Sequence, residues 1–210
     1  MDDGEEAREY NRMDHGEVNR RFVADLLATG DVGRQVLDLG AGTALIPIEL
    51  CRCAARCRVW AVDVSAAMLE LARLRVAEAR LAGRIVLVRA DAKQLPFRAA
   101  SFDTVISNSI VHHVPEPLAV MTEAWRVVRP GGIVFFRDLL RPPTREELER
   151  LVATYAGGES RRARELFAAS LGAALTVEEV RERVAALGAD PNGVRQTSDR
   201  HFTWAARRSL

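Results

Sequence analysis

Short apolar runs alternate with amphipathic stretches along the first two thirds of the chain. Each run has the length of a buried strand, and each longer stretch repeats apolar residues at helical spacing. Strands that alternate with helices favour a parallel sheet with helices on both faces. The strands are predicted at residues 35–39, 59–64, 85–90, 101–107 and 133–138.

The boundaries of the helices are indicated by residues that cap or interrupt a helix. Ser65 is placed to cap the helix that follows the second strand, and Gly83 is expected to close it. Glycines in the turn 129–132 suit a chain reversal before the fifth strand. Helices are therefore predicted at 17–28, 43–50, 66–81 and 116–128.

The pattern changes after the fifth predicted strand. A break at residues 142–143, both proline, is followed by two amphipathic helices with no strand between them, at 144–155 and 161–171. A capping box at residues 176–179 then begins a helix that runs to residue 187. Two closing strands are predicted at 193–198 and 200–206.

Length and composition limit the classes of protein that the sequence fits. A chain of 210 residues suits one domain, so a single domain over residues 1–210 is expected. Hydrophobic residues make up 48% of the chain, but no run reaches the length of a membrane span. The net charge of +1 gives no electrostatic case for nucleic acid as a partner. Since the acidic first residues lack the apolar segment of a secretion signal, a cytoplasmic location is expected.

The three cysteines, Cys51, Cys53 and Cys57, lie close together after the first strand and its helix. Their spacing contains no C-x-x-C pair, and no fourth metal ligand lies nearby in the sequence. A zinc site is the less favoured alternative. Partly buried thiols in a reducing compartment are the preferred interpretation, and no metal is expected.

A glycine turn joins the first predicted strand to a helix. It reads Asp38-Leu-Gly40-Ala-Gly42, and this strand–turn–helix unit lets a backbone approach a ligand closely. Amide groups at the turn and at the helix start are then available to an acceptor. Leu45 stands where a dinucleotide-binding fingerprint has its third glycine, which counts against an NAD-dependent oxidoreductase.

Asp63 ends the second predicted strand, at about the 20-residue offset from the glycine turn that suits an acidic ligand of a ribose. A carboxylate at this position can accept hydrogen bonds from both hydroxyls of a vicinal diol. The alternative is a helix cap, but Ser65 is placed for that role. The ribose contact is therefore the favoured interpretation.

Four segments in order resemble the class I S-adenosylmethionine-dependent methyltransferases. Asp38-Leu-Gly40-Ala-Gly42 is similar to their first motif, acidic-x-Gly-x-Gly, and Asp63 and Asp91 follow the second and third strands as in that family. The phrase F-D-x-V-x-x-N-x-x-x-H-H, residues 102–113, is typical of the small-molecule branch that includes quinone C-methyltransferases. The turn 128–132 is another hallmark of this family.

The resemblance implies a fold and a domain organisation. It implies an α/β, Rossmann-like sheet of seven strands, the last antiparallel, with helices on both faces. Residues 1–30 would form an N-terminal helical segment, from which Tyr10, Met13 or His15 could cover the cofactor, a solvated tail being the alternative. Residues 141–175 would form a small helical cap inserted after strand five.

The same resemblance implies the cofactor and the residues that hold it. The cofactor would be S-adenosylmethionine, with S-adenosylhomocysteine as the product. Asp91 would accept from the adenine amino group, and the Ala92 amide would donate to a ring nitrogen. Asn108 and Ser109 would lie beside the methionine end. The implied cofactor-binding residues are Asp38, Gly40, Gly42, Asp63, Val64, Asp91, Ala92, Asn108 and Ser109.

The implied reaction is in-line methyl transfer to a small-molecule acceptor, of quinone-like or other apolar type. Alignment and desolvation supply most of the acceleration, and a base is needed only when the acceptor must lose a proton. His113, His15 and Asp138 are the catalytic candidates, and His112 and His201 are further possible bases. One of the paired histidines is expected to pack against the sheet, and a structural ion pair is the alternative role for Asp138. A protein that binds S-adenosylmethionine without catalysis is the alternative function.

Overall fold

The strands predicted from the apolar runs form one sheet. A computed structural model describes residues 16–209, and the predictions for Tyr10, Met13 and His15 lie outside this range. In chain order the strands are β1 (Gln35–Leu39), β2 (Arg58–Asp63), β3 (Ile85–Arg89), β4 (Phe102–Asn108), β5 (Val128–Leu139), β6 (Val194–Gln196) and β7 (His201–Arg207).

The order of the strands across the sheet is β3-β2-β1-β4-β5-β7-β6. β1 to β5 pair in parallel with one another, whereas β7 runs antiparallel to both β5 and β6. The predicted seven-stranded sheet with its last strand antiparallel is confirmed. The chain adds strands outward from β1 to β3 and then returns to place β4 on the other side of β1, which creates a topological switch point.

Helices cover both faces of the sheet, and most of them begin where the sequence offers a cap. Hydroxyls of Ser65, Thr144, Ser160 and Thr176 accept a hydrogen bond from the third residue beyond each. The capping box predicted between Thr176 and Glu179 is present. The helices are α1 (Gly16–Ala28), α2 (Leu45–Cys53), α3 (Ala66–Glu78), α4 (Pro117–Val127), α5 (Arg145–Ala156), α6 (Arg161–Ala173) and α7 (Val177–Ala186).

Buried side chains form an apolar layer on each face of the sheet. Successive strand residues point to opposite faces, so Val36 belongs to one layer and Leu37 to the other. α1, α2 and α3 cover the layer around Val36, and α4 and α7 cover the layer around Leu37. Within residues 16–209, no helix combines the length and the apolar character needed to cross a membrane. α5 and α6 share a smaller cluster formed by Leu139, Leu151, Leu171 and Ala174.

The predicted end of α3 was wrong. The helix ends at Glu78, well before Gly83, because Arg80 takes a left-handed φ of 57°. The Leu81 amide then donates to the Val76 carbonyl at 3.0 Å, the closing hydrogen bond that usually accompanies a glycine. An arginine therefore takes the position that glycine usually occupies.

The predicted turn at residues 129–132 is an irregularity inside β5, which already begins at Val128. The pairing of β4 with β5 shifts register between Phe102 and Thr104, so the turn residues bulge out of the ladder. Gly131 has a φ of 76°, which explains why glycine suits this position.

Candidate cofactor and acceptor site

The carboxyl ends of β2, β1, β4 and β5 lie side by side at one edge of the sheet. Asp38, Asp63, Asn108 and Asp138 stand at the last or the penultimate position of these four strands. A crevice opens at this edge because the order of strand addition reverses beside β1. The structure thus brings together candidate site residues from four separate parts of the sequence.

The glycine turn after β1 is fixed by hydrogen bonds that its amides donate to β2. The amides of Gly40 and Ala41 both donate to the Val62 carbonyl at 2.9 Å. The Gly42 amide donates to Oδ2 of Asp63 at 2.8 Å. These amides are therefore engaged within the protein, and the prediction that they are free for a ligand was wrong.

The two glycines of the turn meet different surroundings. Both have a positive φ, 72° at Gly40 and 53° at Gly42. A Cβ added at Gly40 would lie 2.9 Å from Cδ1 of Ile110, whereas one added at Gly42 meets no atom within 4 Å. Gly42 is therefore the position where the backbone is open to an approaching ligand.

Asp63 organises both the glycine turn and the start of α3. Its Oδ1 accepts from the Ser65 amide at 2.9 Å, while Oδ2 accepts from Gly42. The Ser65 hydroxyl caps the helix by accepting from the Met68 amide at 3.3 Å, as predicted. Because each carboxylate oxygen can accept a second hydrogen bond, a half-buried Asp63 retains the capacity to bind a diol.

Asp38 is a buried carboxyl group that lacks a full set of partners. Only 2% of the residue is exposed, and its Oδ2 has no hydrogen-bond partner among the described residues. Burial raises the pKa of Asp38 well above its ordinary value, and the charge of Asp63 raises it further. A buried acceptor of this kind requires a donor, and a ligand with an ammonium group would supply one.

The loop after β4 covers the glycine turn. Asn108 and Ser109 are half-buried, and Ser109 takes a φ of 60°, which is uncommon outside glycine. The Ser109 amide donates to the Arg137 carbonyl at 2.9 Å, which fixes the loop against β5. The side chain of Ile110 then contacts Gly40, a contact that no sequence motif indicated.

Three of the implied cofactor-binding residues follow β2 and β3, and two of them, Asp91 and Ala92, are those implied for adenine. Val64 follows Asp63 and is 63% exposed, an unusual position for a valine. Asp91 accepts from the Lys93 amide at 2.9 Å and pairs with the Lys93 ammonium at 2.7 Å, and these bonds lower its pKa. Ala92 is buried beside it. Asp91 is therefore near the implied position but is already paired with a cation.

The two adjacent histidines have different environments. His112 is buried, and its Nδ1 lies 2.5 Å from Oδ1 of Asp138. His113 is exposed, and its ring centre lies 4.0 Å from that of His112. Desolvation by the surrounding protein, followed by the neighbouring imidazole of His112, lowers the pKa of His113 to about 4. The structure thus assigns the packed position to His112, which the sequence alone did not distinguish from His113.

Asp138 is held by the backbone as well as by His112. Its Oδ1 also accepts from the Leu139 amide at 2.7 Å, and its Oδ2 accepts from the Val111 amide at 2.6 Å. With the residue 1% exposed and both oxygens engaged, Asp138 cannot offer a free carboxylate to a substrate. It can orient the imidazole of His112.

The remaining candidate bases do not join this pair. His201 begins β7, and its Nδ1 lies 2.8 Å from the Ser198 hydroxyl. Burial, followed by the charges of Arg200 and Arg137, lowers the pKa of His201 to about 4. His15 lies outside the described residues. Across the described part of the chain, no cluster of three or more His, Cys, Asp or Glu residues is arranged to hold a metal ion.

Comparison with known protein families explains this arrangement. Residues 37–136 match the family model described as a methyltransferase domain. This part of the chain, slightly less than half of it, is similar to a methyltransferase domain. The match begins in β1, one residue before Asp38, and ends in β5, so it includes the glycine turn, Asp63, Asp91 and His112.

Curated relatives align with the same part of the chain over part of their own length. The 27-O-demethylrifamycin SV methyltransferase of Amycolatopsis mediterranei (strain S699) is 35% identical over 117 residues, 56% of this chain and 43% of the relative. A ubiquinone/menaquinone biosynthesis C-methyltransferase of Geobacter sp. (strain M21) is 30% identical over 124 residues, 59% of this chain and 52% of the relative. The chain thus matches about half the length of these curated relatives.

The fold of the chain is shared with solved structures. The crystal structure of a SAM-dependent methyltransferase from Aquifex aeolicus superposes with a TM-score of 0.71 and covers 97% of both chains. The sequence identity is 16%, so this likeness concerns the fold.

Proposed function

We propose that the protein transfers a methyl group from S-adenosylmethionine to a small-molecule acceptor. The observation that carries this proposal is the unpartnered Oδ2 of the buried Asp38, at the same sheet edge as the Gly42–Asp63 hydrogen bond. Asp38 fits the ammonium group of the cofactor's methionine part, and Asp63 fits the ribose diol. Both functional groups belong to S-adenosylmethionine.

The rest of the cofactor would be held by residues around this pair. The exposed side chain of Val64 offers an apolar surface for adenine. Asp91 and Ala92 would hydrogen-bond its polar edge, with Asp91 shared between adenine and Lys93. Asn108 and Ser109 would lie beside the methionine end, because they follow β4 next to the glycine turn.

We propose His112 as the general base when the acceptor is a hydroxyl group. The cofactor supplies an electrophilic methyl group on a sulfonium and leaves as a neutral thioether. Asp138 holds a proton on Nδ1 of His112, which leaves Nε2 as the acceptor for the hydroxyl proton. Asp138 acts through His112 and does not contact the acceptor, whereas the exposed His113 would line the acceptor side.

We further propose that α5 and α6, within residues 141–175, form a cap over the acceptor. α6 contacts the short segment Val111–His113 that carries the histidine pair. The apolar cluster below the cap includes Leu139, which directly follows Asp138. This placement favours an apolar, quinone-like acceptor, and the N-terminal segment 1–30 would cover the cofactor from the other side.

The chemistry of the relatives supports a small-molecule acceptor. One relative is named for an O-demethylated rifamycin and another for C-methylation in quinone biosynthesis. Asp138 orients His112 as a base, and this arrangement favours methylation of a hydroxyl oxygen by this chain. The proposal includes no nucleic acid as a substrate, since the net charge is +1. Three free cysteines support a reducing, cytoplasmic location as part of the proposal.

Calorimetric titration with S-adenosylmethionine, S-adenosylhomocysteine and NAD in parallel tests the cofactor. We expect the first two ligands to bind and NAD not to bind, and binding of NAD alone would overturn the proposal. Incubation with labelled S-adenosylmethionine and a panel of catechols and hydroquinones then tests transfer. Binding of the cofactor with no transfer to any acceptor would leave a cofactor-binding protein without this activity.

A further inference from the structure

Cys51 and Cys57 form a buried pair at the opposite end of β2 from the cofactor site. Cys51 lies near the end of α2, and Cys57 lies at the end of the turn that leads into β2. Their sulfur atoms are 4.0 Å apart, and both residues are at most 2% exposed. Neither cysteine takes part in the proposed methyl transfer.

Arg84 converges on this pair from the segment before β3. Its Nη2 lies 3.5 Å from Sγ of Cys57. Its guanidinium also donates to the carbonyl oxygens of Cys51 at 2.7 Å and of Cys57 at 2.8 Å. A cation fixed by several backbone oxygens is thus held against one sulfur of the pair, where it stabilises a thiolate.

We propose that Cys51 and Cys57 are a redox modification site that hydrogen peroxide converts into an intramolecular disulfide. The Cys57 thiolate attacks one peroxide oxygen, the O–O bond breaks, and a sulfenic acid and one water form after protonation. The Cys51 sulfur then attacks the Cys57 sulfur and displaces its oxygen as a second water. Two thiols lose two electrons and two protons, and the peroxide is reduced to two waters.

The position of the two thiols suits this chemistry. The hydrogen bond from Cys51 and the charge of Arg84 lower the pKa of Cys57, while the pKa of Cys51 is raised by its bond to Cys57 and by burial. Cys57 is therefore the attacking sulfur and Cys51 the resolving one. To form the bond, the sulfurs must approach by about 2 Å from their present separation.

The turn directly before Cys57 is the route by which the proposal brings a small oxidant to the pair. Ala55 and Arg56, directly before Cys57, are exposed and belong to a short hydrogen-bonded turn. Cys53, two residues after Cys51, is exposed and serves as an internal comparison for oxidation without a partner thiol.

Peptide mapping of the full chain tests the proposal. The reduced protein is treated with a small excess of hydrogen peroxide, its free thiols are alkylated under denaturing conditions, and its peptides are analysed by mass. We expect a peptide pair linked through Cys51 and Cys57, with the loss of two hydrogen atoms, which dithiothreitol reverses. Links that involve Cys53 should be at least about tenfold rarer, since it lacks a neighbouring thiol.

Three serine variants separate the roles of the cysteines. Cys53→Ser is the matched control and should form the same link at the same rate. Cys51→Ser should trap a sulfenic acid on Cys57 that reacts with a cyclic 1,3-diketone probe. Cys57→Ser should give about tenfold less labelling at Cys51, because that thiol is mostly protonated.

Two results would overturn the proposal. One is full alkylation of Cys51 and Cys57 after peroxide treatment that oxidises Cys53. The other is equal sulfenic acid labelling in Cys51→Ser and Cys57→Ser. Since every readout is made on the protein's own thiols, the outcome is independent of whether methyl transfer is observed.

Discussion

The Asp63 carboxylate and the Gly42 amide are joined by a hydrogen bond of 2.8 Å. The two residues belong to different motifs, one at the end of β2 and one in the turn after β1. The bond fixes the glycine turn and places the carboxylate at the mouth of the crevice. A change at Asp63 should therefore affect both the cofactor contact and the shape of the turn.

We expect Asp63→Ala to weaken S-adenosylmethionine binding by about 1–3 kcal/mol, because the diol loses its acceptor and Gly42 loses its partner. Calorimetric titration of the folded variant measures this change. Glu70→Ala, at an exposed position of α3, is the control and should bind normally. An unchanged affinity in Asp63→Ala would show that Asp63 does not contact the cofactor.

We expect Gly42→Val to abolish cofactor binding in a folded protein, because its Cβ meets open space where the ligand would lie. The strain of a branched residue at a φ of 53° should cost roughly 1–3 kcal/mol of stability. Gly40→Val is a poorer test, since its Cβ would lie 2.9 Å from Ile110 and disturb the loop itself. Normal titration curves for folded Gly42→Val would show that the turn does not approach the ligand.

We expect Asp38→Asn to raise the free energy of unfolding at neutral pH while it weakens cofactor binding. The pKa of Asp38 is raised by burial, so the stabilisation that its proton provides is complete below its unfolded value of about 3.9. That stabilisation is lost as the pH rises through the folded pKa, which leaves a costly buried charge.

Urea unfolding at neutral pH measures the stability of Asp38→Asn, and we expect a gain of about 1 kcal/mol or more. Calorimetry should show a loss of about 1.5–3 kcal/mol in cofactor affinity, the usual contribution of a hydrogen bond to a charged group. A variant that binds the cofactor as tightly as the original protein would contradict the ammonium contact.

We expect His112→Gln to lower kcat for a hydroxyl acceptor by roughly 10²–10⁴, with cofactor affinity unchanged. Asp138→Asn alone should lower kcat nearly as much as His112→Gln. Adding Asp138→Asn to His112→Gln should lower kcat little further, because Asp138 acts only through His112. His113→Gln should have the smaller effect. A larger loss in His113→Gln than in His112→Gln would reassign the base to the exposed ring.

We expect the free energy of unfolding of His201→Asn to fall less steeply with decreasing pH than that of the original protein. The pKa of His201 is about 4 in the folded chain and about 6.5 when unfolded, so the unfolded chain binds more protons between these values. The contribution of the neutral ring is complete above about pH 6.5 and is lost as the pH falls towards 4. Urea unfolding at several pH values measures the slope, and an identical slope in His201→Asn would contradict the shift.

The sheet and the glycine turn could be predicted because each rests on a local signal. Apolar runs of strand length indicate strands, and the acidic-x-Gly-x-Gly pattern marks the turn after β1. Asp63 could be found in the same way, from its distance in sequence to the glycine turn and from its place at the end of a strand. Each of these inferences uses residues that are neighbours in the sequence.

Features that depend on distant residues could not be predicted. His112 and Asp138 were both candidates, but their pairing requires the parallel register of β4 and β5 and the short helical turn Val111–His113. The left-handed conformation of Ser109 and of Arg80 has no sequence signal, because only their surroundings stabilise it.

The position of β7 in the sheet also has a consequence for how the chain assembles during synthesis. Among the described strands, β6 pairs with β7, and β7 lies between it and β5. The ribosome completes β6 first, so this strand has no partner until residues 201–207 have emerged. Until then the edge of β5 that faces β7 is unpaired. A nascent chain that stalls between the two strands would therefore expose an aggregation-prone strand edge to other nascent chains or to chaperones.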